Sequence, residues 1–459
     1  MPPRRVRPLG NPVTLTLDGE PIAAEAGAPI ATALVGAGAL KIARSPKFHR
    51  SRGPSCMRGG CDGCLMRVDG VPNVMTCLTP AREGQRLERQ NVALSADLDV
   101  LRAADWFFPN GMNHHELLAG VPGVQHVMQG FARRVSGLGD LPDRIVDVAR
   151  MPIETRRSDV LVIGGGPSGL LAAQAIATRG HDVMIVDEHA TLGGSLLSFP
   201  LGARLSSPGA GTEHDVDAAL AALVERAEQQ RIVDLTRATA IGVLEGDDWL
   251  IDRATAGLLR VHARAVVIAT GGHDVAPMFG NNDLPGVVSA RAAGRLLRDG
   301  VLIGQAPLVV GRGAFSEAFA HAATAEGAKV RRVASDAVVE ARGMSSVSGA
   351  IVKRRGERDE KITCDAIVVE GAVSPCFELA SQAGATTHHL PEGHVVAVDP
   401  SQRVERDEAF SRGRPLFAVG EVIGSPFEWA TFAATADRLA RAVDRELSNP
   451  SARSHADAR

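Results

Sequence analysis

Residues 159–188 read DVLVIGGGPSGLLAAQAIATRGHDVMIVDE. The stretch runs from an apolar strand at 160–163 through a Gly-x-Gly-x-x-Gly turn and a helical segment to a second apolar strand at 183–186, which ends in two acids. In this order the glycines permit a tight turn and let a pyrophosphate approach the helix N-terminus, while an acid hydrogen-bonds a ribose hydroxyl. The stretch therefore predicts a Rossmann βαβ unit that binds a dinucleotide.

Three later segments extend this predicted site. The segment at 190–195, ATLGGS, has the form that follows the second strand in flavoprotein reductases, and AVVIATGG at 265–272 is an apolar strand ending in the small-residue turn by which such proteins close over the dinucleotide. The segment at 414–424, RPLFAVGEVIG, returns to a strand and an acid, Glu421, that is longer than the usual Asp, so its role stays open. We expect the first site to include Gly164, Gly166, Pro167, Ser168, Gly169, Asp187, Glu188, Gly193, Gly194, Ser195, Thr270, Gly271, Gly420 and Glu421.

A second βαβ unit is predicted at residues 307–333, PLVVGRGAFSEAFAHAATAEGAKVRRV. Gly311 and Gly313 are followed by Ser where the third Gly belongs, and the next strand ends in two arginines with no acid. The missing carboxylate argues against tight NAD binding, whereas two arginines suit a 2′-phosphate. Two interpretations stay open, namely NAD(P) bound at these glycines, or a Rossmann fold with a weakened or empty site.

Four cysteines lie in GPSCMRGGCDGCLMRVDGVPNVMTCLTP, residues 53–80. Cys56, Cys61, Cys64 and Cys77 have the spacing C-x4-C-x2-C-x12-C, which is the plant-type pattern for a 2Fe-2S cluster. Zinc sites with four cysteines usually consist of two C-x2-C pairs, and disulfides are disfavoured in a chain without a secretion signal. The pattern therefore favours a 2Fe-2S cluster.

The residues around this loop predict a small domain that carries it. Residues 13–38, VTLTLDGEPIAAEAGAPIATALVGAG, alternate apolar and polar positions, turn at Asp-Gly and continue into an Ala-rich helical stretch. This pattern indicates a β-grasp ferredoxin-like domain with the cysteine loop against its sheet. We expect Gly59, Gly60 and Gly63 to supply positive φ and backbone N–H groups that point at sulfur.

Composition sets the remaining limits. The chain has 459 residues, 45% apolar, with 50 Lys and Arg against 53 Asp and Glu, which is typical of a globular protein of two to four domains. Its near-neutral charge and lack of Tyr argue against a nucleic-acid partner, and no run is long enough for a membrane span. The basic start, MPPRRVRPLGNP, has no apolar run behind it, so we expect a loose arm and a cytoplasmic protein.

The expected fold class is α/β, with two Rossmann-like dinucleotide-binding domains, the second inserted in the first as in thioredoxin reductase, after a β-grasp domain. The predicted boundaries are 11–95 for the β-grasp domain, 96–156 for a spacer, 157–280 for the first part of the FAD-type domain, 281–395 for the inserted NAD(P)-type domain, 396–447 for the second part of the FAD-type domain and 448–459 for a disordered tail.

Three further stretches are not general features of reductases. They lie at 45–55 (SPKFHRSRGPS), at 106–143 and at 279–287 (FGNNDLPGV). They resemble the α subunit of heterotetrameric sarcosine oxidase and related subunits of opine oxidase, hydroxyproline dehydrogenase and cyanide-forming glycine dehydrogenase, and the resemblance covers about residues 11–445. Many sarcosine oxidase α chains lack the four cysteines. We also expect the long C-terminal folate-binding domain of that family to be absent, since the chain ends soon after the helix that follows Glu421.

The resemblance implies an oxidoreductase subunit that acts on CH–NH donors. In that family the small amine substrate is oxidised at an FAD in a separate β subunit of the D-amino-acid-oxidase type, and an FMN can lie at the interface between the subunits. We therefore expect a hetero-oligomer in which this chain carries a 2Fe-2S cluster and FAD or another dinucleotide, passes electrons from flavin to cluster, and is inactive toward substrate without its partner.

Two alternatives stay open. One is a self-sufficient FAD-dependent NAD(P)H reductase that feeds its own cluster, and the other is a non-catalytic scaffold with a structural nucleotide. No catalytic residue is assigned: His114, His115 and His273 are expected to be packing or surface groups, and Cys364 and Cys376 to be buried small apolar residues.

Overall fold

The computed structural model of the protein describes residues 2–45, 50–90, 153–206, 213–253, 256–354, 358–391, 393–407 and 413–448. Three predicted features lie outside these residues: the stretch at 106–143, the histidines His114 and His115 within it, and the predicted tail beyond Ser448. The chain divides into two compact units, one formed by residues 1–146 and 276–370 and the other by 147–275 and 371–459. The cysteine loop and the inserted Rossmann domain therefore share the first unit.

The N-terminal part of the first unit contains a five-stranded sheet, one helix and three short strands outside that sheet. Its elements are β1 Arg4–Arg5, β2 Pro12–Leu17, β3 Glu20–Glu25, α1 Ile30–Gly36, β4 Ala43–Arg44, β5 Ser51–Arg52, β6 Leu65–Val68, β7 Val71–Met75 and β8 Arg86–Glu88. The sheet order is β3-β2-β8-β6-β7, with β2 antiparallel to β3 and parallel to β8. Helix α1 buries Ile30 and Leu34 completely. The predicted strand, hairpin, strand and helix are confirmed.

The second unit begins with the long first Rossmann segment. Its elements are β9 Glu154–Ile163, α2 Pro167–Ala177, β10 Val183–Asp187, a 3-10 helix Gly194–Ser198, β11 Arg204–Ser206, β12 Glu213–Asp215, α3 Val216–Gln229, β13 Val233–Thr236, β14 Thr239–Val243, β15 Trp249–Asp252, β16 Leu258–Ile268 and β17 Gly272–Asp274. Strand β9 starts earlier than predicted because Glu154 already pairs with Leu259 of β16.

The inserted domain follows in the first unit. Its elements are β18 Val287–Ser289, α4 Ala290–Arg298, β19 Val301–Leu302, β20 Pro307–Val310, α5 Ala314–Ala325, β21 Arg331–Val333, β22 Val338–Arg342, β23 Gly349–Val352, β24 Glu360–Ile362 and β25 Ala366–Val369. Four parallel strands form its main sheet in the order β18-β25-β20-β21. This confirms the second Rossmann-like unit.

The chain then returns to the second unit. The returning elements are β26 Val373–Pro375, α6 Glu378–Gln382, β27 Thr387–Leu390, β28 Gly393–Val396, β29 Leu416–Ala418, a 3-10 helix Gly420–Ile423 and α7 Trp429–Ser448. The main sheet of this unit has the order β13-β10-β9-β16-β15-β14, and β29 pairs in parallel with β16. The inserted domain was predicted to end at residue 395, but in the structure it ends near Glu370. The next strand, β26, already belongs to the second unit because it pairs with β17.

The basic N-terminal arm is not loose, contrary to the expectation from its sequence. Strand β1 pairs antiparallel with β19 of the inserted domain, and Arg7 donates hydrogen bonds to the carbonyls of Leu297 and Arg298 at the end of α4. Carbonyls at a helix C-terminus lack helical partners and carry partial negative charge, so a guanidinium is a favourable cap for them. No helix in the described part of the chain has both the length and the apolar character needed to cross a membrane.

A group of ion pairs around the buried carboxylate of Asp248 stabilises the second unit. Asp248 is 5% exposed, and its carboxylate lies 2.6 Å from Nε of Arg260, 3.0 Å from Nη1 of Arg414 and 2.9 Å from Nδ1 of His262. Burial by itself raises the pKa of this carboxyl, but the hydrogen bonds from Arg260 and Arg414 outweigh it, so the pKa lies below its ordinary value. The group joins β16 to the segment that precedes β29.

We expect Asp248→Asn to lower the free energy of unfolding at neutral pH by about 2–3 kcal/mol, because two arginines lose a charged acceptor inside the unit. Thermal unfolding followed by tryptophan fluorescence, to which buried Trp249 contributes, measures the change. A carboxyl with a depressed folded pKa contributes its stability above the unfolded pKa, about 3.9, and loses it as the pH falls through the folded value. The difference between variant and wild type should therefore narrow below about pH 4.

The matched control is Asp437→Asn on α7. Asp437 pairs with Arg441 and Arg179 but is half exposed, so its removal should cost less than about 1 kcal/mol. Equal losses from the two variants would contradict a special role for Asp248.

Candidate cofactor sites

The four cysteine thiols gather at one end of the N-terminal sheet. Cys56, Cys64 and Cys77 are 8%, 1% and 3% exposed, Cys61 is half-buried, and all four are free. Strands β6 and β7 bring the distant fourth cysteine to the loop, since Thr76 donates through both its N–H and its hydroxyl to the carbonyl of Cys64. The hairpin thus places Cys77 beside Cys64, although twelve residues separate them.

The thiols form two pairs. A hydrogen bond from the Cys56 thiol lowers the pKa of Cys61 to about 6 and raises that of Cys56, and a hydrogen bond from the Cys77 thiol lowers the pKa of Cys64 and raises that of Cys77. Among the described residues, no three His, Cys, Asp or Glu side chains converge on a single metal-ion position. Each iron of a 2Fe-2S cluster takes two thiolates, so two neighbouring thiol pairs fit such a cluster.

Backbone N–H groups surround the sulfurs, as predicted. The N–H of Arg58 donates to the Cys56 sulfur over 3.4 Å, and the N–H of Gly59 donates to Cys77. Gly59 has φ 76°, but Gly60 and Gly63 are not among the described glycines with positive φ. Gly63 is needed for close approach instead, because a Cβ there would lie 2.2 Å from the carbonyl oxygen of Gly53. Four paired thiols with N–H donors around them fit a 2Fe-2S cluster.

The first dinucleotide turn is built from glycines with different functions. Gly164 has φ 111°, and a Cβ there would lie 2.2 Å from the carbonyl oxygen of Ala269. A Cβ at Gly169 would lie 2.0 Å from the carbonyl oxygen of Gly164. These two glycines hold strand and helix together, whereas Gly166, the N-cap of α2, has an ordinary φ of −72°. A Cβ at Gly166 would meet only the Cα of Gly194 within 4 Å, at 3.9 Å, so the space before α2 is open.

The structure distinguishes between the two acids at the end of β10. Glu188 is exposed, whereas Asp187 is 8% exposed and its carboxylate accepts hydrogen bonds from the N–H of Gly165 (2.7 Å) and of His189 (2.8 Å). Burial alone raises the pKa of Asp187, but its hydrogen bonds with His189 and Gly165 lower it overall. Nδ1 of His189 lies 3.0 Å from the same carboxylate. His189 was not singled out from the sequence, although it lies two residues after Asp187 at the end of the strand.

The remaining segments of the first site meet this turn. Gly194 has φ 50°, and a Cβ there would lie 2.7 Å from the Cα of Gly166; the preceding Gly193 donates its N–H to the carbonyl of Gly165. At the return of the chain, Gly420 has φ 84° and a Cβ there would lie 2.8 Å from Oγ of Ser168. Pro167 begins α2, where its missing N–H costs nothing, and Ser195 is buried in the 3-10 helix that follows Gly194.

The small-residue turn after β16 lies beside Glu421. Gly271 has φ 70°, and a Cβ there would lie 3.7 Å from Oε2 of Glu421. Thr270 donates its hydroxyl hydrogen to the carbonyl of Cys376 over 2.8 Å. Cys376 is half-buried rather than buried as expected, whereas Cys364 is buried, in the inserted domain. His273 lies in β17, paired with β26.

The second Rossmann turn differs from the first. Gly311 has φ 92° and Gly313 is the N-cap of α5, but the N–H groups of Phe315 (3.3 Å) and Ser316 (2.7 Å) already donate to the carboxylate of Glu370. The two arginines predicted to meet a 2′-phosphate are each paired with a glutamate, Arg331 with Glu360 at 2.7 Å and Arg332 with Glu317 at 3.5 Å. Glu370 was missed, although the sequence places it directly after an apolar strand.

We expect the isolated protein to be brown, with about two irons and two sulfides per chain. Cys61→Ser should lose most of both, because a hydroxyl supplies neither the charge nor the softness of a thiolate. Iron and acid-labile sulfide analysis with the visible spectrum measures the loss. Cys364→Ala, in the same unit but outside the loop, is the control and should keep its cluster. One zinc and no sulfide per chain would refute the assignment.

We expect Gly166→Val to weaken dinucleotide binding at the first site at least about 100-fold, since its side chain fills the open space before α2. The fold should persist, because φ at Gly166 is ordinary and a Cβ there has no neighbour closer than 3.9 Å. Equilibrium binding and thermal unfolding measure the two effects. Ala175→Val, on the same helix, should retain binding, and a Gly166→Val variant that binds normally would show that the turn is not the phosphate site.

Two protein-family models match the chain. A model described as "2Fe-2S iron-sulfur cluster binding domain" matches residues 10–92, and one described as "Pyridine nucleotide-disulphide oxidoreductase" matches residues 158–436. The sarcosine oxidase subunit alpha of Rhizobium meliloti (strain 1021) is 27% identical over 423 residues, which cover 84% of this chain and 42% of that protein. The corresponding subunit of Corynebacterium sp. (strain P-1) is 27% identical over 416 residues, covering 81% and 38%. The chain thus spans about two fifths of the length of these curated relatives.

Solved structures share the fold. The L-proline dehydrogenase from P. horikoshii superposes with a TM-score of 0.72 at 19% identity, covering 97% of this chain and 76% of that one. The T. acidophilum thioredoxin reductase superposes with a TM-score of 0.50 at 18% identity, covering 63% and 99%. The resemblance to sarcosine oxidase α subunits is confirmed by the curated relatives. Since the second family model matches more than half of its residues, the chain belongs to the pyridine nucleotide-disulphide oxidoreductase family and carries a 2Fe-2S iron-sulfur cluster binding domain before it.

Proposed function

We propose that this oxidoreductase chain is the electron-transfer, nucleotide-binding α subunit of a heteromeric dehydrogenase or oxidase for amines or imino acids of the sarcosine, opine or hydroxyproline type. The observation that carries the proposal is the presence, in one chain, of four free thiols gathered at one end of the N-terminal sheet and a dinucleotide turn with open space before α2. A chain with both sites can bind a flavin, which carries two electrons, and a 2Fe-2S cluster, which carries one.

The residues of the chain have separate functions in this proposal. Cys56, Cys61, Cys64 and Cys77 hold the cluster, and the backbone N–H groups of the loop offset the negative charge of the sulfurs. We assign the pyrophosphate to the turn at Gly166, because the space before α2 is open, and the ribose hydroxyls to the acids Asp187 and Glu188 at the end of β10. A bound flavin exchanges two electrons with substrate and single electrons with a cluster, which is the chemistry that the cofactors supply.

A partner subunit completes the proposed enzyme. The curated relatives are named as subunits, and the chain spans only about two fifths of their length. Oxidation of a secondary amine needs a shaped pocket over a flavin ring, usually on a substrate domain inserted in the flavoprotein. In this chain the insertion between β17 and β26 is itself Rossmann-like. We therefore place the amine, and its FAD, on a β subunit of the D-amino-acid-oxidase type, with an FMN at the interface.

We expect the purified chain alone to show no turnover of sarcosine, proline-type or opine-type amines, and to gain that turnover when its flavin-containing partner is added. Steady-state assays with an artificial electron acceptor measure both states. With the partner present, Cys61→Ser should slow electron delivery to the acceptor, whereas Cys364→Ala should not. Turnover of a secondary amine by the single chain, free of any copurifying subunit, would refute the subunit proposal.

A second candidate is a self-sufficient NAD(P)H reductase. Its supporting observation is the second parallel Rossmann-like sheet, inserted where two-dinucleotide reductases carry their NAD(P)H domain. Anaerobic addition of NADH or NADPH to the purified chain separates the two candidates. Rapid bleaching of a bound flavin followed by cluster reduction supports the reductase, and an unchanged spectrum supports the subunit.

A further inference from the structure

The two Rossmann turns of this chain differ in what lies before the helix. In the first unit, the position of a Cβ on Gly166 is 3.9 Å from its nearest neighbour, the Cα of Gly194. In the second unit, a Cβ on Gly313 would lie 2.4 Å from Oε1 of Glu370. Gly166 and Gly313 are both N-caps of the helix that follows their turn. The same sequence position therefore adjoins open space in one unit and a carboxylate in the other.

Glu370 also explains why the second turn contains glycine. Gly311 has φ 92°, and a Cβ there would lie 2.4 Å from the carbonyl oxygen of Glu370. Gly313 leaves room for the Glu370 carboxylate, as its Cβ position shows. Gly311 is thus required by the backbone of Glu370, and the side chain of the same residue fills the space beside Gly313.

The Glu370 carboxylate occupies the donors that a pyrophosphate would use. Its two oxygens accept from the N–H groups of Phe315 and Ser316, in the first turn of α5. A helix N-terminus attracts one anion through its N–H groups and partial positive charge, and a second anion would meet like-charge repulsion. The two arginines that could meet a 2′-phosphate, Arg331 and Arg332, are already paired with Glu360 and Glu317.

The inserted domain has a different set of contacts with the cluster domain. The N–H of Ser289 donates to the carbonyl of Ser55 over 2.9 Å, directly before Cys56. Arg52 forms an ion pair with Asp283 at 3.1 Å. Strand β1 adds an antiparallel pairing with β19. The domain therefore supports the polypeptide on which the cysteine loop is built.

We propose that Glu370 closes the second dinucleotide site, so that the chain binds one dinucleotide, in its first unit, and uses the inserted domain to support the cluster domain. The inference goes beyond the proposed function and does not depend on the identity of the partner. It also separates the two candidate functions, because a self-sufficient NAD(P)H reductase needs an open second site.

The test measures nucleotide binding to the full chain by titration calorimetry with NADH and NADPH. The background is Gly166→Val, which removes the first site. We expect no detectable binding in this background. When Glu370→Ala is added, we expect NADPH or NADH to bind with an affinity at least about tenfold above the weakest that the titration can detect. The control is Glu340→Ala in the same background, whose carboxylate accepts from Asn281 and not from α5, and which should gain nothing.

Folding is checked by cluster content and by the thermal midpoint, since the cluster domain and Glu370 share a unit. If Glu370→Ala proves unstable, Glu370→Ser also removes the carboxylate from α5, and NADPH should raise the thermal midpoint of that variant but not that of Glu340→Ala. Binding of NADH or NADPH to the Gly166→Val chain with Glu370 intact would overturn the proposal, as would a folded Glu370→Ala variant that gains no binding.

Discussion

Backbone N–H groups without a backbone acceptor are the constraint on which the functional parts of this protein depend. Turns and helix N-termini leave such donors unpaired, and burying them without an acceptor is costly. Three side-chain acceptors meet the need here. Cysteine sulfurs accept from the loop at Arg58, Asp187 accepts from the first Rossmann turn, and Glu370 accepts from the first turn of α5. Of the two Rossmann turns in the described part of the chain, the one before α2 adjoins open space.

This constraint explains which parts of the sites were predictable. The Gly-x-Gly-x-x-Gly turn and the four cysteines are local patterns, and their spacing alone restricts the chemistry to a dinucleotide and a cluster. Gly164 and Gly169 indeed touch backbone at distances that no Cβ permits. The state of the second turn was not predictable in this way. The residue that decides it, Glu370, follows Gly313 by more than fifty positions and reaches it only because β25 and β20 are neighbours in the sheet.

Boundaries were predicted less well than elements for a related reason. The insertion ends near Glu370 and not at residue 395, since β26 pairs with β17 across the whole insertion. The arm at Arg4–Arg5 was expected to be loose because its sequence is basic with no apolar run behind it, yet it forms a strand pair with β19. Two stretches that resemble sarcosine oxidase α chains, at 45–55 and 279–287, prove to touch each other through Arg52 and Asp283. Single-sequence patterns contain no information about such long-range partners.

The ion pair between Arg52 and Asp283 joins residues 231 positions apart, which affects how the protein is made. At a synthesis rate of about 5–20 residues per second, the cysteine loop leaves the ribosome roughly 10–50 s before the segment that supports it. The four cysteines therefore spend that interval in a nascent domain that lacks Asp283, Ser289 and β19 as neighbours. Iron–sulfur assembly factors acting during translation would meet the loop unsupported, while those acting after release would meet it already held in place.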